Sequence, residues 1–337
     1  MTATIKDVAR IAGVSISTVS RVINDSKPVS PEARRKVLKA IDELGYKPNE
    51  VARSLVTKKS NLIGVIVNDI GNPYVAQILR GIEEVGRMYD YDIVLCSSYG
   101  DADTELKFIQ LLLRKQAEGL ILVSEILNKP ALEYMKDTKV PFVYLNRHYE
   151  VLDIPTVKIN NESASKKVMD YLISKNHKNI LYVSEDKDLE TTVEKYKLET
   201  YIKSMENIEM EPIIYKIDGN KINDGYSNGK QVLDLINKKD ISGVFCSHDE
   251  LAIGLISYLY DEGIKVPDDV SFVGYGDIGL ASIYRPKLTT IREPYYDFGA
   301  VAIRRILKDI KGEPIEEQTI NLPVQLIVRE SVKEIPF

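Results

Sequence analysis

Three side chains able to recognise a partner share one face of a short helix predicted near the amino terminus. Ile16, Ser17 and Arg21 fall on one side by the 3.6-residue period, and Val19 and Val22 fall on the other. A guanidinium can form two parallel hydrogen bonds to a planar pair of acceptors, and a serine hydroxyl both donates and accepts. The pattern therefore predicts an apolar face that packs inward and a polar face that contacts another molecule.

The residues around this helix predict how it is held in place. Thr4 is suited to cap a first helix that ends at Gly13, and Ser15 is suited to cap the second helix. Ser30 precedes a proline at the first position of a third helix, which ends at Gly45. Two short helices joined by a turn that contains glycine form a helix-turn-helix, so we predict a three-helix unit, which we call the head.

Charge is distributed unevenly along the 337 residues. Residues 1–60 carry twelve basic and six acidic side chains, a net charge of +6. Subtracting them from the totals of 45 basic and 50 acidic residues leaves 33 and 44 for residues 61–337, a net charge of −11. A basic segment joined to an acidic remainder indicates a nucleic-acid-binding unit attached to another domain.

The pattern changes after the polar segment Thr57–Ser60, which is the best candidate for a linker. Short β-branched runs typical of buried parallel strands then alternate with helical stretches, and this alternation occurs twice. The runs include LIGVIV, DIVLC, GLILVS, VPFVYLN, NILYVS, GVFCS and VSFVGYG. Such alternation predicts an α/β fold with two lobes, each built on a doubly wound parallel sheet.

These segments resemble the lactose/galactose repressor (LacI/GalR) family, and the resemblance covers the whole chain. Its motifs are Thr4–Asn24, Leu44–Leu55, Val67–Glu84 and Arg285–Ile291. The resemblance implies an all-α helix-turn-helix head and a two-lobed core similar to periplasmic sugar-binding proteins. It also implies a sequence-specific transcriptional regulator, mainly a repressor.

The domain boundaries follow from the motifs and the composition. We expect a helix-turn-helix domain over 1–47, a hinge helix and linker over 48–60, and a core over 61–337 that binds effectors and dimerises. The first lobe is expected to comprise about 61–160 plus 292–320. The second lobe is expected to comprise about 161–291 plus 321–337.

The resemblance implies that a homodimer binds a pseudopalindromic double-stranded DNA operator. The expected base contacts are Ile16, Ser17, Arg21 and Leu55. The expected phosphate contacts are Thr4, Ser15, Thr18, Asn24, Ser30, Tyr46 and Arg53. The matching leucine of the family wedges into the minor groove and kinks the DNA, a role that Leu55 would share. Arg21 could instead contact a phosphate, and the small polar residues are also suited to cap helices.

The family's effector site lies between the lobes, and the resemblance places eight residues there. They are Asn72, Tyr74, Asn146, Arg147, Lys197, His248, Asp249 and Gly276. Gly276 stands where the family has an aspartate that accepts hydrogen bonds from sugars, although a simple turn also explains a glycine. Lys197 stands where the family has an arginine. The expected effector is a sugar or a sugar phosphate, with no other cofactor and no metal.

A second stretch, Tyr295–Arg305, resembles the branch of the family that controls carbon catabolism. In that branch the corresponding helix docks the phosphocarrier HPr phosphorylated on a serine. The resemblance implies HPr contacts at Asp69, Tyr296, Asp297, Arg304 and Lys308. Arg304, Lys308 and Lys311 form one basic stripe, which could bind a phosphoserine or simply face solvent. The pair Asn146-Arg147 favours the alternative of a repressor that responds directly to a sugar or sugar phosphate.

Other classes of protein fit the sequence poorly. No dinucleotide-binding glycine motif follows the first strand, the chain has no Walker loop, and its three histidines lack metal-ligand spacing, so we expect no enzyme. An exported binding protein is excluded by the head and by the absence of a signal peptide at the amino terminus. The two cysteines, predicted to be buried thiols, exclude a disulfide scaffold. No apolar run is long enough to span a membrane, so a cytoplasmic location is expected.

Overall fold

The structure is a computed structural model that describes residues 3–24, 27–46, 59–146, 149, 151, 153–186, 193–314 and 317–336. The chain divides into two compact units, residues 1–61 and residues 62–337. The predicted hinge helix over 48–60 falls almost wholly outside the described residues.

The head contains three helices, which are α1 (Ile5–Ala12), α2 (Ile16–Asn24) and α3 (Pro31–Leu44). The main-chain N–H and the hydroxyl of Thr4 both donate to the Asp7 carboxylate, at 3.0 and 2.7 Å, and these bonds lower the pKa of Asp7. Ser15 Oγ accepts from the N–H of Thr18 at 3.1 Å. Ser30 Oγ accepts from the N–H of Ala33 at 3.3 Å, so the predicted caps are present.

The head has its own apolar core. The buried side chains come from all three helices and are Val8, Ala9, Ala12, Val19, Val22, Val37 and Ala40. Tyr46 and several larger aliphatic residues pack against this set. Leu38, which follows the fully buried Val37, is 52% exposed, so the inward face of α3 is narrower than its apolar residues suggest.

The first lobe of the second unit is a six-stranded sheet in which all pairs are parallel. From one edge to the other it contains β11 (Thr319–Leu322), β5 (Thr156–Ile159), β4 (Phe142–Asn146), β3 (Gly119–Ser124), β1 (Leu62–Val67) and β2 (Asp92–Ser97). The helices that cover it are α4 (Pro73–Met88), α5 (Ala102–Arg114), α6 (Lys129–Asp137) and α12 (Tyr295–Ile310).

The second lobe is a six-stranded sheet with one antiparallel edge pair, β10 with β12. In spatial order it contains β12 (Gln325–Ile327), β10 (Thr289–Arg292), β9 (Ser271–Gly276), β8 (Gly243–Cys246), β6 (Ile180–Glu185) and β7 (Ile213–Ile217). Its helices are α7 (Asn161–Ser174), α8 (Glu194–Asn207), α9 (Ile222–Ser227), α10 (Gly229–Lys239) and α11 (Asp249–Asp261), with a 3₁₀ turn over Gly279–Ser282.

The chain passes between the lobes three times. It crosses from β5 to α7, from β10 to α12, and from β11 to β12. Helix α12 returns to the first lobe and packs closely on α4, because Gly81 and Gly299 each lie against the backbone of the other helix. The carboxyl ends of the parallel strands of both lobes therefore meet near the crossovers, where ligands of open α/β sheets bind.

The helices and the two cysteines can be compared with the sequence-based expectations. No helix among the described residues is long and apolar enough to cross a membrane. Cys246 is buried, as predicted, and burial raises the pKa of its thiol. Cys96 is only partly buried, contrary to the prediction, because β2 lies at the edge of its sheet.

Candidate functional site

Helix α2 presents the predicted base-contacting residues on its exposed face. Ile16 is 45% exposed, and Ser17 and Arg21 are also exposed. Val19 and Val22 on the opposite face are buried in the core of the head. An apolar side chain next to a serine and an arginine on an exposed helix face is suited to contact base edges.

The predicted phosphate contacts of the head lie at helix starts and in the turn. Ser15 Oγ is 2.7 Å from Ser17 Oγ and 2.8 Å from Thr18 Oγ1, so these hydroxyls form one cluster at the start of α2. Thr4 and Ser30 begin α1 and α3. Main-chain N–H groups at helix starts favour anions, which makes these positions compatible with phosphate binding.

Several predicted contacts cannot be placed. Arg53, Leu55 and Arg147 lie outside the described residues, and the side chain of Asn24 does too. Tyr46 is described, and its ring packs against the core of the head.

Between the lobes of the second unit lies a cavity of about 320 Å³. Tyr74, Asn146, Lys197 and His248 line it, as the resemblance implies. Other residues around it include Tyr144, Tyr149, Lys158, Asn160, Asn161, Glu194, Glu293, Tyr295 and Phe298. This volume lies at the lower end of the range of about 300–1,000 Å³ for small-molecule pockets.

Aromatic rings form much of the wall that the first lobe contributes. The rings of Tyr74 and Tyr295 have centroids 5.6 Å apart, and Phe298 continues the row at 6.4 Å from Tyr295. The Tyr74 hydroxyl donates to Glu125 Oε1 at 2.5 Å, and the Tyr295 hydroxyl donates to the buried carboxylate of Glu293. Rings in a row with polar tips can stack on the apolar face of a ligand while hydrogen bonds orient it.

The second lobe contributes a buried ion pair. Lys197 Nζ lies 2.7 Å from Glu194 Oε1, and the two side chains are 4% and 3% exposed. Lys197 Nζ also donates to the Ser247 carbonyl at 3.3 Å and lies 4.0 Å from the centroid of the Tyr275 ring. Burial raises the pKa of Tyr182, which neighbours this pair, well above its usual value, and the Glu194 carboxylate raises it further.

Three residues expected in the cleft lie elsewhere. Asn72 caps α4, where its Oδ1 accepts from the Tyr74 N–H at 3.4 Å, and it does not line the cavity. Asp249 is fully buried in the second lobe and accepts from Thr290 Oγ1 at 2.5 Å and from the Ile278 N–H at 2.9 Å. Burial raises the pKa of Asp249 to about 7.

Gly276, the third of these residues, also lies outside the cavity lining. Its φ angle is 130°, in the region that favours glycine, so turn geometry explains the residue. The next carboxylate, Asp277, accepts from Arg292 Nε at 2.6 Å and from an Arg329 nitrogen at 2.5 Å.

A groove beside α12 contains the basic residues of the predicted HPr surface. It is lined by Val301, Arg304, Arg305, Lys308, Pro314, Glu317 and Ile320. Arg304 and Lys308 are exposed, whereas Arg305 is 6% exposed and its Nε has no hydrogen-bond partner. Burial lowers the pKa of Arg305. The Arg305 guanidinium already donates to the Glu317 carbonyl and to Gln318 Oε1, so Arg304 and Lys308 are the cations that this groove offers to an anion.

The other residues predicted for HPr docking lie around α12 and at the end of β1. The Tyr296 hydroxyl donates to Glu84 Oε2 at 2.8 Å, and the Arg80 guanidinium lies 5.4 Å from the Tyr296 ring centroid. Asp297 is exposed. Asp69 Oδ1 accepts from the Gly71 N–H at 2.8 Å.

Three cavity residues, Glu194, Glu293 and Tyr295, were not predicted from the sequence. Glu293 and Tyr295 directly follow strand β10, and the rule that ligands bind beyond the carboxyl ends of parallel strands would have identified them. No comparable signal marks Glu194, which begins α8 after residues that the structure does not describe. Within the described ranges, no group of three or more potential ligands could hold a metal ion.

Comparison with known proteins decides the family. Residues 4–49 match the profile of bacterial regulatory proteins of the lacI family, and residues 169–332 match that of a periplasmic binding protein-like domain. The chain is 39% identical to the HTH-type transcriptional regulator RegA of Clostridium saccharobutylicum over 334 residues, which cover 98% of this chain and 99% of that protein. The chain belongs to the LacI family.

Other members of the LacI family are similar over the same length. The chain is 36% identical to catabolite control protein A of Priestia megaterium over 337 residues, 99% of this chain and 100% of that protein. The lac repressor dimer bound to operator and the anti-inducer ONPF superposes with a TM-score of 0.85 at 26% identity, covering 99% and 100% of the two chains. The CelR–cellobiose complex superposes with a TM-score of 0.70 at 27% identity, covering 98% and 99%.

This LacI-family protein is therefore a DNA-binding transcriptional regulator similar to catabolite control protein A, and not an enzyme. The predicted fold class, a helix-turn-helix head with a two-lobed core like that of periplasmic binding proteins, is confirmed.

Proposed function

We propose that this protein binds a pseudopalindromic DNA operator as a homodimer in the cytoplasm, mainly repressing genes of carbon catabolism. The observation that carries the proposal is the exposed face of α2, where Ile16, Ser17 and Arg21 lie opposite a buried valine pair. In a helix-turn-helix, the second helix enters the major groove. Arg21 then bonds a guanine bidentately, and Leu55 of each subunit wedges into the minor groove at the centre of the operator.

The edge of the first-lobe sheet supports a dimer. Strand β2 has only one neighbour in its sheet, and both Val94 and Leu95 on it are exposed. Met88 and Tyr89 before the strand and Tyr99 after it are exposed as well. Exposed apolar residues along an edge strand are typical of an interface, and a twofold dimer would cover them.

The test of base recognition compares two exposed arginines of the head on an operator obtained by selection from random DNA. Arg21→Ala should lower the ratio of specific to non-specific affinity by about 1–3 kcal/mol, because one base contact is lost. Arg10→Ala is the control, since Arg10 pairs with Asp7 on α1 and should change both affinities alike. An unchanged specificity ratio in Arg21→Ala would contradict the proposed contact.

We further propose that serine-phosphorylated HPr docks on α12 and strengthens operator binding. The groove with Arg304, Arg305 and Lys308 supports this part of the proposal, because a phosphoserine carries about two negative charges and three strong acceptors. The family resemblance assigns further HPr contacts to Asp69, Tyr296 and Asp297. The similarity to catabolite control protein A over nearly the whole chain favours phosphorylated HPr as the regulatory partner of this protein.

Surface plasmon resonance with phosphorylated and unphosphorylated HPr tests the proposed docking on α12. The phosphorylated form alone should bind, and Arg304→Glu with Lys308→Glu should abolish binding. Lys166→Glu with Lys203→Glu on the second lobe is the matched control and should leave binding intact. Equal binding of both forms of HPr, or binding that survives the α12 substitutions, would contradict the proposal.

A direct small-molecule effector is the second candidate, and the interlobe cavity favours it. The cavity has aromatic rings on the first lobe and buried polar groups on the second, which suits a sugar. In this function, ligand binding changes the angle between the lobes and thereby the dimer's affinity for DNA. Thermal-shift assays with sugars and sugar phosphates test it.

A further inference from the structure

One apolar side chain on the outward face of α2 adds little to the core of the head. Ile16 is the first residue of α2 and is 45% exposed. It belongs neither to the buried core of the head nor to the larger side chains that pack against that core. An isoleucine gains free energy when it leaves water, and the described part of the head leaves this burial incomplete. A partner that covers Ile16 therefore gains an apolar contact at this point.

The start of α2 holds Ile16 in a fixed orientation. Ser15 Oγ accepts from the Thr18 N–H at 3.1 Å, and the Ser15 carbonyl accepts from the N–H groups of Thr18 and Val19 at 3.0 and 3.1 Å. The side chains of Val19 and Val22 on the opposite face are buried. The capped first turn and the two buried valines together fix which face of α2 points outward, so Ile16 lies exposed at the leading end of the helix.

The hydroxyl next to Ile16 is engaged within the head. Ser17 Oγ lies 2.7 Å from Ser15 Oγ, which also lies 2.8 Å from Thr18 Oγ1. A serine hydroxyl can donate or accept a hydrogen bond, so it distinguishes one base from another poorly. On this face, Ile16 and Arg21 are therefore the side chains whose chemistry prefers particular bases.

The major groove contains one apolar group that an isoleucine can recognise. Base edges there carry hydrogen-bond donors and acceptors, and thymine alone among the four bases adds a C5-methyl group. An isoleucine placed against a donor or an acceptor removes water from a polar atom without replacing its hydrogen bond, which is unfavourable. An isoleucine placed against the methyl group removes two apolar surfaces from water. A recognition helix contacts base edges through its N-terminal residues, and Ile16 lies there.

We propose that Ile16 is a specificity-determining residue that recognises the methyl group of one thymine in each half of the operator. The inference rests on the proposed operator binding and deepens it, because it names the base that this side chain selects. Ile16 and Arg21 are separated along α2 by about 7.5 Å, which corresponds to about two base-pair steps of about 3.4 Å each. The thymine that Ile16 recognises therefore lies within about three base pairs of the guanine that Arg21 binds.

The test replaces single thymines of the selected operator with deoxyuridine, which lacks only the methyl group. Fluorescence anisotropy with the full chain measures the affinity for each exchanged operator. At one thymine position in each half-site, the affinity of the wild type should fall by about threefold, because a buried methyl contact is lost. Exchange at this position in both half-sites should lower the affinity by about tenfold. The protein and the hydrogen-bonding groups of the bases stay the same in this exchange.

Two exposed isoleucines of the head provide matched variants. Ile16→Ala should bind the thymine operator more weakly than the wild type does, and the same deoxyuridine exchange in both half-sites should lower its affinity by less than about twofold. Ile11→Ala removes an isoleucine of α1 that is 47% exposed, and this control should keep the full loss of about tenfold. Both variants should unfold at the temperature of the wild type, because neither side chain packs in the core of the head.

The outcomes separate this inference from the operator binding on which it rests. If every deoxyuridine exchange weakens the wild type and Ile16→Ala equally, the role of Ile16 is overturned and operator binding stands. An affinity of the wild type that no exchange changes would lead to the same conclusion. If the wild type selects no common sequence from random DNA, operator binding is overturned, and this inference with it.

Discussion

Two adjacent residues of α3 allow a test of how the head holds its recognition helix. Val37 is fully buried in the core of the head, whereas Leu38 beside it is 52% exposed. Neither residue lies on α2. Val37→Ala should therefore weaken DNA binding only because it destabilises the head. Leu38→Ala should leave the stability of the head nearly unchanged.

The expected magnitude follows from the burial of Val37. Replacing the valine removes two carbon groups from the core, which costs about 1.5 kcal/mol of transfer free energy and about 2 kcal/mol with the cavity that remains. A unit of this size has a free energy of unfolding of roughly 2–6 kcal/mol. The loss of the two methyl groups of Val37 therefore removes a large share of the free energy of unfolding of the head. Leu38→Ala is expected to stay within about 0.5 kcal/mol.

Native-state hydrogen exchange of the α3 amides measures this difference directly. The opening free energy of these amides should fall by about 2 kcal/mol in Val37→Ala. Amides of the lobes should keep their protection in both variants, and operator affinity should fall only in Val37→Ala. Equal losses in the two variants, or unchanged protection of α3 in Val37→Ala, would refute the assignment of the core of the head.

Two other predictions concern the second unit. Burial raises the pKa of Asp249 to about 7, far above its value in an unfolded chain, so the folded chain holds an extra proton between about pH 4 and 7. Because of this group, the free energy of unfolding should fall by about 1.4 kcal/mol per pH unit as pH rises across that window. Urea titrations at several pH values should show this slope in the wild type and not in Asp249→Asn. A slope that persists in Asp249→Asn would contradict the assignment to Asp249. Leu95→Asp on the exposed edge strand should convert the dimer into a monomer in analytical ultracentrifugation, and Tyr134→Asp on α6, equally exposed, should not. A Leu95→Asp protein that still sediments as a dimer would exclude β2 from the interface.

The sequence predicts the head in detail because its signals are local. Thr4, Ser15 and Ser30 cap the three helices as expected, and the inward face of α2 follows the helical period. The alternation of strands and helices likewise predicts two parallel sheets. The exposure of Leu38 could not be predicted, because it depends on how α1 and α2 cover α3.

The cavity could be predicted only in part, because its residues come from distant segments. Lys197 and Tyr74 line it as the resemblance implies. The carboxylate of Asp249 instead lies in the core of the second lobe, where it accepts a hydrogen bond from Thr290. Glu194 and Lys197 are three residues apart on one helix, a spacing that is also found in ordinary surface ion pairs. Only the burial of that pair distinguishes it, and this burial depends on how α8 packs against Ser247 and Tyr275 of the same lobe.

The central claim is that the head reads a specific operator as one half of a twofold dimer. Selection of bound fragments from random double-stranded DNA with the purified full chain tests it most directly. One pseudopalindrome should be enriched, and its affinity should fall steeply as salt rises. Bound DNA with no common sequence, or a single unrepeated half-site occupied by a monomer, would contradict the account.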